Sequence, residues 1–151
     1  MVDGTFCSSL GESVWTAVNH FPKLTLLDVA GSHVSGEGIP DSLRLHYLKV
    51  FCGDDTQITD SGLAKICDAF PRLESLLLSR TRVTSNASHF LNRLSNLSEL
   101  AMNDTQIDDR FVHNLSEGFL QKLRVLRVES TNVSDNTCVQ LKKRYPQVRI
   151  E

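Results

Sequence analysis

The chain has 151 residues, of which 40% are apolar and 23% charged, and its formal net charge is −2. These values describe a soluble globular protein of about one domain with room for a single core. They exclude the broad basic field that attracts phosphate backbones, so we expect no nucleic-acid partner.

The N-terminal stretch lacks the features of a secretory signal, because an acid stands where the basic region belongs and no long apolar run follows. No segment approaches the ~18 apolar residues needed to cross a bilayer. The cysteines are widely spaced without a C-x-x-C pair, which favours reduced thiols over a disulfide frame or zinc site. We therefore expect a cytoplasmic protein with no membrane partner, cofactor or metal. The four cysteines are Cys7, Cys52, Cys67 and Cys138.

Residues 12–21, ESVWTAVNHF, carry apolar residues at helical spacing, and we predict that this half-repeat caps the N-terminal end of the core. Five similar rows follow, with starts 24, 25, 24 and 26 residues apart. A match over five rows is the sign of a repeat architecture. The rows are LTLLDVAGSHVSG from Leu24, LKVFCGDDTQITD from Leu48, LESLLLSRTRVTS from Leu73, LSELAMNDTQIDD from Leu97 and LRVLRVESTNVSD from Leu123.

Each row predicts a short strand and a turn. The first, fourth and sixth positions are mostly apolar, and the spacing of two between the last pair indicates a strand with one buried side. The eleventh position is always Val or Ile, which returns the chain to the core. The ninth position is always a hydroxyl residue, and we predict that these groups link successive turns by hydrogen bonds. They are Ser32, Thr56, Thr81, Thr105 and Thr131.

A helix is predicted after each turn. Asp60, Asp109 and Asp135 stand where a side chain can cap the first N–H groups of a helix. Apolar residues then recur at helical spacing, and each helix is expected to end before a shared proline motif, since the residue before proline avoids the helical conformation. The motifs are FPKL at 21–24, FPRL at 70–73 and YPQV at 145–148.

This pattern of strand, turn and helix resembles the leucine-rich repeat family, over roughly residues 21–151. It is most similar to the cysteine-containing class found in F-box proteins, whose outline residues 48–66 and 70–83 follow. The resemblance implies a right-handed α/β solenoid, with a parallel sheet on the concave face and helices on the convex face. We expect one domain over 1–151: an N-terminal cap at 1–23, five repeats at 24–147 and a truncated repeat at 148–151.

In this architecture the third, fifth, seventh and eighth positions of each row point out of the concave face. Leu26, Val50, Cys52, Leu77, Ala101 and Val125 would form an apolar stripe there, beside an acidic rim that includes Arg80. Exposed apolar surface of this kind marks partner sites. We hypothesise a protein or peptide partner that brings basic groups to the rim. The predicted binding residues are Leu26, Asp28, Val50, Cys52, Asp54, Asp55, Leu77, Arg80, Glu99, Asn103, Asp104, Arg127 and Glu129.

Catalysis is not expected. The aspartates could be imagined as acid–base or metal-binding pairs, but their spacing follows the repeat, and the five histidines share no metal-ligand spacing. Three alternatives to the binding module stay open: an obligate subunit of a larger complex, the substrate-recognition part of an F-box-type ubiquitin ligase, and a secreted glycosylated recognition protein. The last rests on N-x-S/T sequons at Asn86, Asn96, Asn103, Asn114 and Asn132.

Overall fold

Six short parallel strands form one sheet whose spatial order follows the chain, in a computed structural model that describes residues 11–151. Cys7 and the first ten residues of the predicted cap lie outside the described part. Each strand pairs with the next without an offset in repeat position, so that Leu26 lies beside Val50 and Val50 beside Ser75. The strands are β1 (Leu26–Asp28), β2 (Val50–Cys52), β3 (Ser75–Leu77), β4 (Glu99–Ala101), β5 (Val125–Arg127) and β6 (Arg149–Ile150).

Helices cover the other side of the sheet, which confirms the predicted α/β repeat fold. They vary in length, and a short 3₁₀ turn (Ser85–Ala87) precedes the third. Among residues 11–151 no helix has the length and apolar character required to span a membrane. The helices are α1 (Val14–Val18), α2 (Asp60–Ala69), α3 (Ser88–Leu91), α4 (Asp109–His113), α5 (Glu117–Lys122) and α6 (Asp135–Arg144).

The first repeat departs from the expected pattern, because residues 35–47 form turns where a helix was predicted. Gly36 adopts a φ of +79°, which lies outside the helical region, and Gly38 and Pro40 follow within four residues. Gly36 also packs against the backbone of Gly62 in α2. A Cβ atom on Gly62 would clash with the carbonyl oxygen of Ser35, so this first junction between repeats depends on two glycines.

The core is a column of leucines whose N-terminal end is filled by aromatic rings. The row positions predicted as buried lie inside, and Leu73, Leu76 and Leu78 are fully buried. The second row has Gly53 at the sixth position, and the side chains of Ile58 and Phe51 occupy the space that a side chain there would need. Trp15 of α1 stacks on Phe51 with ring centroids 6.4 Å apart. Residues 12–21 were predicted to cover this end of the core, and Trp15 within them is fully buried there.

The prediction that Asp60, Asp109 and Asp135 cap the helices was wrong by one residue. All three lie inside the first helical turn, and the carboxylates of the first two accept hydrogen bonds from the twelfth-position residue of the following repeat. The shift follows because a capping residue has an extended backbone and precedes the first helical residue. The capping oxygens of α2, α4 and α6 belong to the twelfth-position residues Thr59, Asp108 and Ser134.

The predicted role of the hydroxyl residues was also wrong. Each threonine at the ninth position donates to the carbonyl oxygen three residues before it, so the bond closes its own turn and does not reach the neighbouring one. In the first row the Oγ atom of Ser32 is buried without a partner among the described residues. A hydroxyl group is too short to span two repeats when a carbonyl oxygen of its own turn lies closer.

The eighth position of every row adopts a left-handed backbone. Gly31 has a φ of +69°, and the other four rows use ordinary residues with φ between 53° and 56°. Such residues are uncommon at positive φ, and Asp is among the better tolerated. The turn therefore fixes the direction of these side chains at the rim. The four ordinary residues are Asp55, Arg80, Asp104 and Ser130.

Candidate protein-binding surface

Two rows of side chains run across the concave face in strand register. The third positions follow one another from Leu26 to Val125, and the fifth positions from Asp28 to Arg127. The sequence predicted this alignment. The two ends of the surface differ in character, because the first three strands supply mostly apolar side chains and the last three supply charged ones.

The N-terminal half of the concave face is an apolar shelf, formed by Leu26, Val50, Cys52 and Leu77. The side chain of Leu26 is 38% exposed, and the other three residues are half-buried. Ala101 was predicted to extend this stripe but is only 4% exposed, so it contributes little. The shelf therefore covers strands β1 to β3 and does not cross the whole sheet.

The C-terminal half is occupied by a network of ion pairs. The Arg127 guanidinium donates to Glu99 Oε1 at 2.6 Å and to Glu151 Oε2 at 2.7 Å. Ser75 Oγ donates to the second oxygen of Glu99 at 2.7 Å, and Arg149 pairs with Glu151 at 2.7 Å. The hydrogen bond from Arg127, helped by Ser75, lowers the pKa of the Glu99 carboxyl. These groups satisfy one another, so a partner would have to displace them to bind there.

Side chains at the seventh position support the sheet edge. Asp54 Oδ1 accepts from the backbone N–H of Ser79 at 2.6 Å, and Asn103 Oδ1 accepts from that of Glu129 at 2.8 Å. Each bond joins one repeat to the next. The sequence pattern predicted that Asp54 and Asn103 belong to a rim that is free to recognise a partner, but the structure engages both in the fold.

The charged side chains of the rim differ in whether they form ion pairs or hydrogen bonds within the fold. Arg80 forms a two-bond ion pair with Asp55, at 2.5 and 2.6 Å. This hydrogen bonding lowers the pKa of the Asp55 carboxyl and raises that of the guanidinium. The carboxylates of Asp104 and Glu129 form no hydrogen bond or ion pair with other residues in the range 11–151. Asp28 lies at the edge of the apolar shelf, where Oδ1 accepts from the N–H of Ala30 at 3.0 Å.

The thiol of Cys52 is not poised for chemistry. Burial raises its pKa to about 11, and the negative charges of Asp54 and Asp28 act in the same direction. Burial likewise raises the pKa of Asp54, against the hydrogen bond from Ser79. A reactive cysteine needs a positive neighbourhood that stabilises the thiolate. Cys52 therefore serves the shelf as a small apolar side chain.

Two grooves lie on the helical side of the described region. One of about 240 Å³ lies between α4, α5 and α6, over Val112, Leu115 and Tyr145. A smaller one of about 140 Å³ lies beside Lys65 and Ile39. Within residues 11–151 no three His, Cys, Asp or Glu side chains are grouped to hold a metal ion. The side chains of the concave rows line neither groove.

The sequence pattern did not indicate the role of Glu12, whose carboxylate accepts several hydrogen bonds at the N-terminal end of the described region. Glu12 Oε1 accepts from the N–H and hydroxyl of Ser35 at 2.5 and 2.8 Å. Its Oε2 accepts from Trp15 Nε1 at 2.6 Å and from the N–H of Gly38 at 3.0 Å. Desolvation opposes ionisation, but these bonds outweigh it and lower the pKa of Glu12. Ser35 lies at the twelfth row position, so Glu12 does for the first repeat what Asp60 and Asp109 do for later ones.

The solved structures that are similar to this chain include two bacterial proteins. An internalin from Listeria monocytogenes superposes with a TM-score of 0.64 at 16% identity, covering 89% of this chain and 36% of the internalin. A leucine-rich repeat protein from Leptospira interrogans matches with a TM-score of 0.42 at 13% identity, over 95% of this chain and 51% of that one. No family model and no curated protein matches the sequence. The parallel six-stranded sheet and the internalin likeness define a leucine-rich repeat fold.

Proposed function

We propose that this chain is a non-enzymatic interaction module that binds a protein or peptide partner on its concave face. The observation that carries the proposal is the apolar shelf, an exposed patch held on a sheet whose turns and strands are fixed by hydrogen bonds between repeats. Exposed apolar surface on a rigid scaffold is a common feature of protein-binding sites. The extended concave surface of a solenoid suits the same use.

The contacts at the rim reduce the set of predicted residues that we assign to partner binding. Leu26, Val50, Cys52 and Leu77 supply the apolar contact, and Asp28 and Asp104 supply negative charge beside it. The C-terminal residues of the predicted set, Glu99 and Arg127, are paired with each other, and we assign them to the scaffold. Acidic groups beside an apolar shelf favour a partner segment that combines an apolar residue with a lysine or arginine.

Capture from a native extract by immobilised protein, with identification by mass spectrometry, tests this proposal. Leu26→Glu should abolish capture of the specific partner, because it places an uncompensated charge on the shelf. Asp104→Asn should weaken capture with little effect on folding, since asparagine also tolerates the left-handed backbone at this position and the carboxylate accepts no hydrogen bond within residues 11–151. Val139→Glu, at an exposed apolar residue of α6, is the matched control and should capture that partner as the wild type does. Equal capture by Leu26→Glu and wild type would refute the concave-face assignment.

The repeat pattern also supports a narrower proposal, that the module is the substrate-recognition part of an F-box-type ubiquitin ligase in the cytoplasm. The support is the likeness of residues 48–66 and 70–83 to the cysteine-containing repeat class. Ubiquitin-ligase core subunits among the captured proteins would favour it. A partner present at fixed stoichiometry in every preparation would favour an obligate subunit instead.

A further inference from the structure

One set of equivalent residues lies at the edge of the sheet where the strands begin. In the first four repeats a turn precedes the strand, and the N–H of the first row residue donates to the carbonyl oxygen three residues earlier, at 3.0 to 3.4 Å. In the fifth repeat the last residue of α5 stands at the same place. We call the residues directly before each row the strand-start residues. They are Lys23, Tyr47, Arg72, Asn96 and Lys122.

Backbone hydrogen bonds keep neighbouring strand-start residues aligned. Two residues after each of them, the N–H of Lys49 donates to the Thr25 carbonyl oxygen at 2.8 Å, and that of Glu74 donates to Lys49 at 2.8 Å. The same bond joins Ser98 to Glu74 at 2.9 Å and Arg124 to Ser98 at 2.8 Å. Since neighbouring strands of a sheet lie about 4.8 Å apart, strand-start residues two repeats apart are separated by about 10 Å.

The strand-start residues alternate between a cation and an uncharged side chain. Lys23, Arg72 and Lys122 carry the charges, and Tyr47 and Asn96 lie between them. All five are exposed, and none forms an ion pair or side-chain hydrogen bond within residues 11–151. The Tyr47 side chain is 57% exposed although it has a repeat on either side. The edge therefore presents unpaired positive charges at a regular interval of about 10 Å.

The nearby carboxylates do not neutralise these cations, because they pair with other bases. Glu74 pairs with Lys49 at 2.8 Å, and Asp68 pairs with Arg93 at 2.6 Å. Asp104, which forms no ion pair within the described residues, follows β4 and so lies at the opposite edge of the sheet. The formal net charge of −2 therefore conceals a separation of charge between the two edges.

We propose that the strand-start residues form a second protein-binding surface, which takes an acidic peptide segment in the polyproline II conformation with a carboxylate at every third residue. Polyproline II has three residues per turn and rises about 3.1 Å per residue, so every third side chain lies on one side at intervals of about 9 Å. This interval matches that between Lys23, Arg72 and Lys122. The surface is separate from the apolar shelf, so it does not depend on the concave-face proposal.

The uncharged strand-start residues suit the same occupant. The exposed ring of Tyr47 lies between two cations, and aromatic side chains line the sites at which other domains bind proline-rich segments. The amide of Asn96 can donate to a backbone carbonyl oxygen, and a polyproline II segment leaves its carbonyl groups without internal partners. Tyr47 and Asn96 would therefore contact the peptide between its acidic residues.

A nucleic acid fits this edge less well than an acidic peptide does. A duplex carries one phosphate about every 3.4 Å along each strand, which is much closer than the interval between the cations. Most phosphates would therefore face uncharged side chains or the carboxylates of Glu74 and Asp68. A peptide with spaced acids avoids both contacts.

Fluorescence anisotropy with labelled synthetic peptides at low ionic strength tests the proposal. The first peptide is rich in proline and has a glutamate at every third position, and the second has the same composition with its glutamates adjacent. The wild type should bind the spaced peptide several-fold more tightly, because only that peptide meets all three cations at once. Added salt should weaken the binding. Equal binding of the two peptides, or tighter binding of a single-stranded oligonucleotide, would overturn the proposal.

Substitution of the central cation tests the assigned residues. Arg72→Gln should weaken binding of the spaced peptide by about two- to fivefold, which is the effect of one exposed ion pair. Arg82→Gln is the matched control and should bind as the wild type does. Arg82 belongs to the same repeat and is exposed without an ion pair within residues 11–151, but it follows β3 and so lies at the opposite edge. Equal binding by Arg72→Gln and the wild type would contradict the assignment.

A charge exchange separates a lost contact from lost folding. Arg72→Glu should bind the spaced peptide more weakly than Arg72→Gln does, because it adds repulsion to the loss of an ion pair. A peptide whose central glutamate is replaced by lysine should bind Arg72→Glu more tightly than it binds the wild type. Failure of this exchange would refute the proposed register. Thermal unfolding verifies that each variant is folded at the temperature of the binding measurement.

Discussion

The two ends of the described region differ in the contacts that their equivalent carboxylates make. At the N-terminal end α1 covers the core with Trp15, and the Glu12 carboxylate takes the place that a preceding repeat would fill. At the C-terminal end Asp135 presents the same chemical group with no donor within residues 11–151. A repeat fold is stabilised mainly by contacts between neighbouring repeats, so these two carboxylates, one with donors and one without donors in the described residues, should contribute differently to stability.

The largest expected effect comes from removing the Trp15 ring, which covers the N-terminal end of the core. Trp15→Ala should lower the free energy of unfolding by about 3–5 kcal/mol, because it leaves a cavity beside Phe51 and Phe70. The same truncation at the other end, Val139→Ala, should change the monomer's stability by less than about 0.5 kcal/mol. Urea denaturation measures both. A similar loss in both variants would show that the two ends are covered alike.

The first junction between repeats gives the next largest effect. Gly62→Ala should cost about 1–3 kcal/mol, since its Cβ would strike the Ser35 carbonyl oxygen and the rigid backbone must move. Gly118 in α5 has open space where a Cβ would lie, so Gly118→Ala should be neutral or stabilise by about 0.5–1 kcal/mol. Opposite signs in thermal melts would confirm that packing between repeats decides the outcome.

Because the carboxylate of Glu12 is held by hydrogen bonds, we expect its contribution to the stability of the fold to be lost in acid. Its folded-state pKa lies below the ordinary glutamate value, so the ionised group stabilises the fold above the unfolded-state pKa. That contribution is lost as the pH falls through the lowered pKa. Glu12→Gln should cost about 1–2 kcal/mol at neutral pH. The difference between variant and wild type should shrink in acid, and denaturation at several pH values measures it. A constant difference would contradict the assignment.

Replacing a turn hydroxyl should cause a smaller loss of stability, and this loss should decrease towards the C-terminal end of the described region. Thr105→Val should cost about 1 kcal/mol, because the buried Met102 carbonyl oxygen loses its hydroxyl donor. Thr131→Val removes an equivalent bond in the last repeat, where the residue is only half-buried and water can replace the hydroxyl. We expect a smaller loss there. Equal losses in urea denaturation would show that the last turn is as well covered as the inner ones.

The smallest expected difference concerns the two matched aspartates. Asp109→Asn should lower the thermal midpoint, since the carboxylate holds both the N–H and the hydroxyl of Ser134. Asp135→Asn should lower the midpoint by less, because no described residue donates to Asp135 and only the interaction of its charge with the N-terminal end of α6 is lost. Equal lowering of the midpoint in the two variants would contradict this comparison.

The sequence by itself determined the repeat, the strands and the concave rows, because burial imposes a regular apolar pattern on each row. It also predicted that residues 12–21 cover the N-terminal end of the core. Only the tertiary structure decided which polar groups are free. In sequence Asp54, Asn103, Asp60 and Asp109 look like unpaired polar surface residues, but their side-chain oxygens accept from donors about 25 residues away. Local pattern records burial, whereas hydrogen bonding between repeats depends on where the next turn lies in space.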